Sequence, residues 1–235
     1  MGQSAARRIE PVLNSGMDRF IAAFPAVRDG DLMLCEDYGV AYQADMDADP
    51  VEYGQQYFDN YVGLKGQEIA RKINAARVGL VDRFVGPARP VLDVGVGSGE
   101  FIQARGNTYG HDVNPVAIGW LKARGLFVDV PVPDKRFSAF TFWDVIEHLR
   151  DPYHYLRNVP VPGFLFTSLP IFADITKVRE SRHYKPGEHL YYWTETGFVS
   201  WIARYGFRLL ERNADETLAG RDSILSFAFK RESAP

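Results

Sequence analysis

Two rhythms of apolar and polar residues alternate along this chain. Short, mainly apolar runs occupy residues 91–94, 126–130, 137–143, 163–169, 207–211 and 224–230, and a further one ends in the acid Asp112. Each has the length of a strand, and the run at 163–169 is apolar enough to be buried on both faces, as in a parallel sheet. Between them lie stretches with helical spacing. Residues 65–84 carry Ile69, Ile73, Leu80, Val81 and Phe84 on one stripe and stop at Gly86–Pro87. Residues 116–124 follow the cap Asn114 and Pro115 and end before Gly125, and a last helix, capped by Thr194, runs to Tyr205 and stops at Gly206. Strands alternating with helices predict an α/β fold with a mostly parallel sheet.

Outside this pattern three segments are less regular. Ile9, Val12, Leu13, Met17, Phe20 and Ile21 recur at nearly helical spacing but are broken by Pro11 and Gly16, which predicts at most a short helix. Residues 31–50 read as acidic and turn-rich. Residues 170–190 have little periodicity and many charges, the composition of an inserted, lid-like loop at the ligand end of a sheet. The expected organisation is an N-terminal extension at 1–52 and a domain at 53–235, with a helical lead-in over 53–88 and a core over 89–235.

The most informative stretch is 90–112, PVLDVGVGSGEFIQARGNTYGHD. An apolar strand leads into Gly95, Gly97 and Gly99, then a helix start, then a second strand ending in Asp112. Glycine serves where backbone approaches a ligand closely or takes positive φ. An acid about 20 residues after a glycine turn is placed to accept hydrogen bonds from ribose hydroxyls. These features point to a nucleoside-containing cofactor. The dinucleotide fingerprint needs glycine at position 100, where this chain has Glu100, a carboxylate that a pyrophosphate would oppose.

The pattern that fits is D-x-G-x-G-x-G, and with it the chain resembles the class I S-adenosylmethionine-dependent methyltransferases. The resemblance implies a Rossmann-like, seven-stranded, mostly parallel sheet with helices on both faces and an antiparallel last strand. It implies S-adenosyl-L-methionine as cofactor, with Asp93, Gly95, Gly97 and Gly99 forming the glycine-loop motif and Asp112, beside Val113, holding the ribose. A second phrase, Trp143-Asp144-Val-Ile-Glu147-His148-Leu-Arg-Asp151-Pro152, resembles the post-strand segment of small-molecule methyltransferases and adds Trp143 and Asp144 to the cofactor wall. A third, His183-Tyr-x-Pro-x-Glu188-His189-Leu190, resembles the lead-in to their penultimate helix. Where the family often has Lys-Pro-Gly-Gly before its fifth strand, this chain has Val159-Pro160-Val161-Pro162-Gly163, a departure in the turn and not in the chemistry.

If the methyl acceptor is a hydroxyl, a base must take its proton, and the candidates are Asp144, His148, His183 and His189, with Asp144, His148 and His189 foremost. A glutamate directly before a histidine points away from it on a helix, so Glu147–His148 and Glu188–His189 do not read as relays. Tyr57 and Tyr61, in an aromatic cluster before the lead-in helix, and His183 are candidates for binding the acceptor. A metal set of Glu188, His189 and His183 is conceivable, but relatives with this motif need no metal, so none is expected.

Composition narrows the partners. Lys and Arg number 27 against 30 Asp and Glu, a net charge of −3 without a basic block, which disfavours a nucleic-acid substrate. The Asp/Asn/Ser-Pro-Pro-Tyr/Phe run of amino-methylating DNA enzymes is also absent after Trp143. The single cysteine, Cys35, permits no intrachain disulfide, and no run approaches the roughly 18 apolar residues of a membrane span. The expectation is a cytoplasmic methyltransferase acting on a small molecule, most simply on oxygen. The alternatives are a cofactor-binding protein of this fold without turnover and, lower in order, a nucleic-acid methyltransferase.

Overall fold

The computed structural model describes residues 24–46, 67–129 and 136–233. The expected helix before residue 22, Tyr57 and Tyr61 lie outside the described residues. The main sheet has six strands: β4 (Val91–Val94), β5 (Thr108–His111), β6 (Ala139–Trp143), β7 (Gly163–Pro170), β9 (Phe207–Asn213) and β10 (Ile224–Arg231). Their order is β5-β4-β6-β7-β10-β9; the first four are mutually parallel and β10 is antiparallel to both neighbours. The parallel sheet with its antiparallel last strand is as expected. The strand count is not. Residues 126–130 contribute only a bridge between Gly110 and Phe127, so the seventh strand is reduced to one pairing.

Helices flank this sheet: α1 (Glu68–Val85), α2 (Glu100–Arg105), α3 (Pro115–Lys122), α4 (Pro152–Leu156), α5 (Glu195–Ala203) and α6 (Asp215–Leu218). Their ends follow the sequence signals. The Asn114 side chain accepts from the Val116 amide with Pro115 in the first turn, and Thr194 accepts from the Gly197 amide. The apolar side of α1 buries Leu80, Val81 and Val85 against Val91, Ala139 and Phe166. The segment between β9 and β10, read from sequence as a polar turn, instead forms α6 and buries Glu216.

A second, smaller sheet was not foreseen. β1 (Val27–Asp29), β2 (Leu32–Cys35) and β3 (Val40–Gln43) form a meander, and β8 (Tyr191–Trp193) pairs antiparallel with β3. Of residues 31–50, expected to be turns, the described part, 31–46, thus contains the two strands β2 and β3. The strands of this meander are three or four residues long, too short for period-2 alternation to register, and Gly30 and Gly39 make the bends at positive φ. Val40, Tyr42, Trp193, Phe198, Trp201, Phe227 and Phe229 share one core cluster, so the small sheet packs on α5 and the end of the main sheet. Trp193 stacks on Trp201 with ring centroids 5.0 Å apart; each such buried aromatic contributes roughly 1.5–3 kcal/mol by burial alone.

The segment 170–190 is likewise more built than its composition implies. A 3-10 helix at Ile175–Glu180 buries Ile175 and Val178 against Leu32, Ala41 and Tyr192. Arg179 bridges Asp29 and Asp31 of the meander at 2.6 and 2.8 Å. Among the described residues no helix is long and apolar enough to cross a membrane.

Candidate functional site

The carboxyl ends of β4, β5 and β6 open into a cavity of about 580 Å³, a volume suited to a nucleotide-sized ligand. The small sheet closes it from the other side through Gln43, Asp45 and Met46. The glycine turn after β4 forms as its sequence requires. Gly95, Gly97 and Gly99 have φ of 75°, 52° and 76°, a region L side chains rarely adopt. A Cβ on Gly95 would stand 2.5 Å from Val145, so glycine is needed there for packing as well. Gly95 and Gly97 line the cavity; Gly99 does not. Gly99 caps α2 against Trp120.

Asp112 faces the cavity and also fastens the turn. Its Oδ2 accepts from the Val96 amide and its Oδ1 from the Asn114 amide, both at 2.8 Å. Burial raises its pKa, partly offset by those amides. Asp93, at the end of β4, is 1% exposed and accepts from Thr141 Oγ1 at 2.6 Å. Burial pushes its pKa up to about 8 although the Thr141 bond opposes it. Val113, Trp143 and Asp144 also line the cavity, as does His148.

Asp144 has a different setting from the one expected of a base. It sits at φ 57°, and its carboxylate takes Arg221 Nη1 and Nη2 at 2.7 and 3.0 Å and Arg77 Nη2 at 3.0 Å. The same arginines hold Glu216 of α6, Arg77 Nε at 2.7 Å and Arg221 Nη1 at 2.5 Å, and Arg77 also donates to Ser168. Burial would raise the Asp144 pKa, but Arg221 and Arg77 outweigh it and hold it at about 2. With both oxygens in ion pairs, Asp144 has no basicity to offer near neutral pH. Arg77, Glu216 and Arg221 went unremarked in the sequence because nothing local marks them.

Beyond Asp144 the chain turns through a 3-10 helix at Ile146–His148. Glu147 is 1% exposed, and no other residue hydrogen-bonds either of its carboxylate oxygens. The Nδ1 of His148 is likewise buried without a partner. His189, 4% exposed, meets His148 edge to face with centroids 4.6 Å apart. One donor atom from each of Glu147, His148 and His189 lies within 4.8 Å of the others. Burial, then the Asp144 charge, raises the Glu147 pKa well above its usual value. Burial lowers His148, and burial with His148 and Lys185 nearby takes His189 down to about 2.

Sequence reasoning separated Glu147 from His148; the fold gathers both with His189. The pair lies on a single 3-10 turn, not on an α-helix, so the helical argument for their pointing apart does not apply. His183 is not brought here. Its Nε2 bonds the Asp222 carbonyl at 2.8 Å, outside the cavity lining. His189 itself stands behind the lining, while Glu188 and Leu190 on either side of it face the cavity.

Residues 68–212 match the family described as methyltransferase domain. Solved structures of the same fold include an S-adenosylmethionine-dependent methyltransferase from Thermotoga maritima, described as a possible histamine N-methyltransferase (TM-score 0.55, 13% identity, 75% of this chain and 97% of that one). Magnesium protoporphyrin IX methyltransferase from Synechocystis, with bound S-adenosylhomocysteine, is equally similar (TM-score 0.55, 14% identity, 75% and 95%). The 1,6-didemethyltoxoflavin-N1-methyltransferase of Burkholderia thailandensis covers more of the chain (TM-score 0.51, 17% identity, 89% and 100%). No curated protein matches the chain in sequence. With a match across most of the main sheet and a glycine turn that opens into a nucleotide-sized cavity, the chain belongs to the methyltransferase domain family, on the fold of the S-adenosylmethionine-dependent enzymes.

Proposed function

We propose that this protein transfers a methyl group from S-adenosylmethionine to an oxygen of a small molecule in the cytoplasm. One observation carries the reading: a single cavity is lined by the glycine turn, by Asp112 and by His148. The fit to the cofactor is chemical as well as spatial. Asp93, Glu100 and Asp112 bring acidic groups to this lining, suited to a ligand with a sulfonium, an ammonium and ribose hydroxyls. When bound, S-adenosylmethionine supplies an already electrophilic methyl group, so the protein's main task is alignment. Good orientation is worth about 7–11 kcal/mol of a barrier. The Gly95–Gly97 backbone and Asp112 would fix the cofactor. Trp143, packed edge to face on Phe101 at 5.2 Å and beneath Arg77, is a rigid part of the wall.

The acceptor enters beside His148, Leu149 and Arg150. A depressed histidine pKa means a neutral imidazole at pH 7, able to take a proton from an incoming hydroxyl. His148 is favoured over His189 because it lines the cavity. The chemistry named for the solved neighbours, on a porphyrin and a toxoflavin precursor, supports a small-molecule acceptor. Calorimetric titration with S-adenosylhomocysteine and with NAD tests the cofactor: binding of the first alone is expected, and binding of NAD alone would refute the reading. Turnover against a panel of phenols, sugars and amines tests the acceptor; methylation confined to amines would remove the oxygen assignment.

A further inference from the structure

Glu147 and its neighbours have a property that proton transfer does not need. A carboxylate side chain 1% exposed, with no other residue bonding either oxygen, faces two imidazoles, and a buried His148 Nδ1 is also unpartnered. Buried polar groups left without partners cost free energy unless something satisfies them. The main chain shows that the gathering is held in place. The Leu190 amide donates to the Glu147 carbonyl at 2.7 Å, joining the two segments that carry the three residues. The His189 carbonyl is fixed by Tyr192 Oη at 3.0 Å and by Gln43, and the His189 amide bonds Lys185 at 2.9 Å.

We propose that Glu147, His148 and His189 form a divalent metal site directly behind the cavity wall, reached from the cavity past His148. Two imidazoles and one carboxylate suit Zn²⁺, Co²⁺, Mn²⁺ or Fe²⁺ rather than the all-oxygen demands of Mg²⁺ or Ca²⁺. Donors within 4.8 Å of one another close on an ion at about 2.1 Å by small side-chain adjustments. Three protein ligands leave a coordination position open, the pattern of catalytic rather than structural sites. This inference rests on the proposed reaction for its use. An acceptor hydroxyl bound at the open position gives its proton to solvent, its oxygen attacks the methyl carbon, and the carbon–sulfur bond breaks with its electron pair left on sulfur. His148 then acts as a ligand, and the ion replaces it as the agent that acidifies the hydroxyl. Acceptors able to offer two adjacent oxygens, such as catechols, would fit such an ion best.

The test uses the full chain after chelator treatment, titrated with ZnCl₂ by calorimetry and with CoCl₂ by visible absorption. One ion per chain and cobalt ligand-field bands are expected. His189→Asn and Glu147→Gln should each weaken zinc binding by more than the roughly 10–100-fold that loss of an orienting neighbour costs. S-adenosylhomocysteine binding reports that both variants are folded. Absence of stoichiometric binding in protein that binds S-adenosylhomocysteine overturns the site, as does zinc affinity unchanged in both variants; Glu147 would then be a buried neutral acid. Zinc binding intact in a protein that methylates no acceptor would instead refute the reaction and leave the site standing.

Discussion

Two groups of buried polar side chains flank the short turn after β6, and they are assembled on opposite rules. On one side Asp144, Arg77, Glu216 and Arg221 pair two carboxylates with two guanidiniums, and each charge has an opposite partner within 3.0 Å. On the other, Glu147, His148 and His189 come together with no cation among them and with donor atoms unbonded. The first group is saturated, so it can only hold elements together: α1, the end of β6 and α6. The second is unsaturated, so it retains capacity for a ligand. Charge in the sequence would rank the two alike; only hydrogen-bond accounting tells structure from function here.

Four substitutions would break or sharpen this contrast, beginning with the largest effect. His148→Gln should lower kcat by about 10²–10⁴-fold, as base or as metal ligand, with S-adenosylhomocysteine affinity unchanged by calorimetry. Near-normal turnover would place the chemistry elsewhere. Glu216→Gln strips the charge from a fully buried carboxylate held by two half-buried arginines and should destabilise the fold by about 3 kcal/mol in denaturant titration, the low end for a buried pair. A loss under about 1 kcal/mol would show that the saturated group is not structural. Asp112→Ala should weaken S-adenosylhomocysteine by about 1–3 kcal/mol, because it removes a buried charged acceptor and the tether of the glycine turn. Glu147→Gln, with metal removed, should shift unfolding free energy by less than about 1 kcal/mol, since an amide of like shape replaces a buried carboxyl that makes no hydrogen bond to another residue.

Asp93, on β4, accepts from the Thr141 hydroxyl at 2.6 Å, and its behaviour is a matter of pH. Its folded pKa of about 8 lies above its ordinary 3.8, so the native state holds a proton that the unfolded chain releases. Stability from this residue is therefore greatest below about pH 3.8, falls as pH rises toward 8 and is level above. Asp93→Asn removes that fall, and the variant should gain stability relative to the parent between pH 4 and 8 in ligand-free unfolding measurements. Parallel curves for the two proteins would mean Asp93 is ionised in the fold.

What was legible in the sequence is what local chemistry enforces. Positive φ at Gly95 and Gly97, the Asn114 and Thr194 caps and the apolar strands β4, β6 and β7 are each specified within a few residues. The saturated group was not legible because its bonds span 139 residues from Arg77 to Glu216 and 77 from Arg221 to Asp144. Glu216 looked like part of a polar turn, and only the fold shows it fully buried. The small sheet was missed for the same reason at backbone level: β3 is too short to declare itself, and its partner β8 lies at the other end of the chain. His148 and His189 were singled out by resemblance, but their convergence on Glu147 depends on the Leu190–Glu147 bond, which no spacing rule contains.

That small sheet also sets an order of events as the chain folds. Pairing Val40 with Trp193 closes one of the longest loops in the molecule, whereas β4 meets β5 across fewer than twenty residues. Distant pairings carry the larger loop-closure entropy and form later. The half of the cavity built on the glycine turn therefore takes shape first, and the Gln43–Met46 wall arrives after it. A nascent or partly unfolded chain would have its cofactor cradle open to solvent before it has a place for the acceptor.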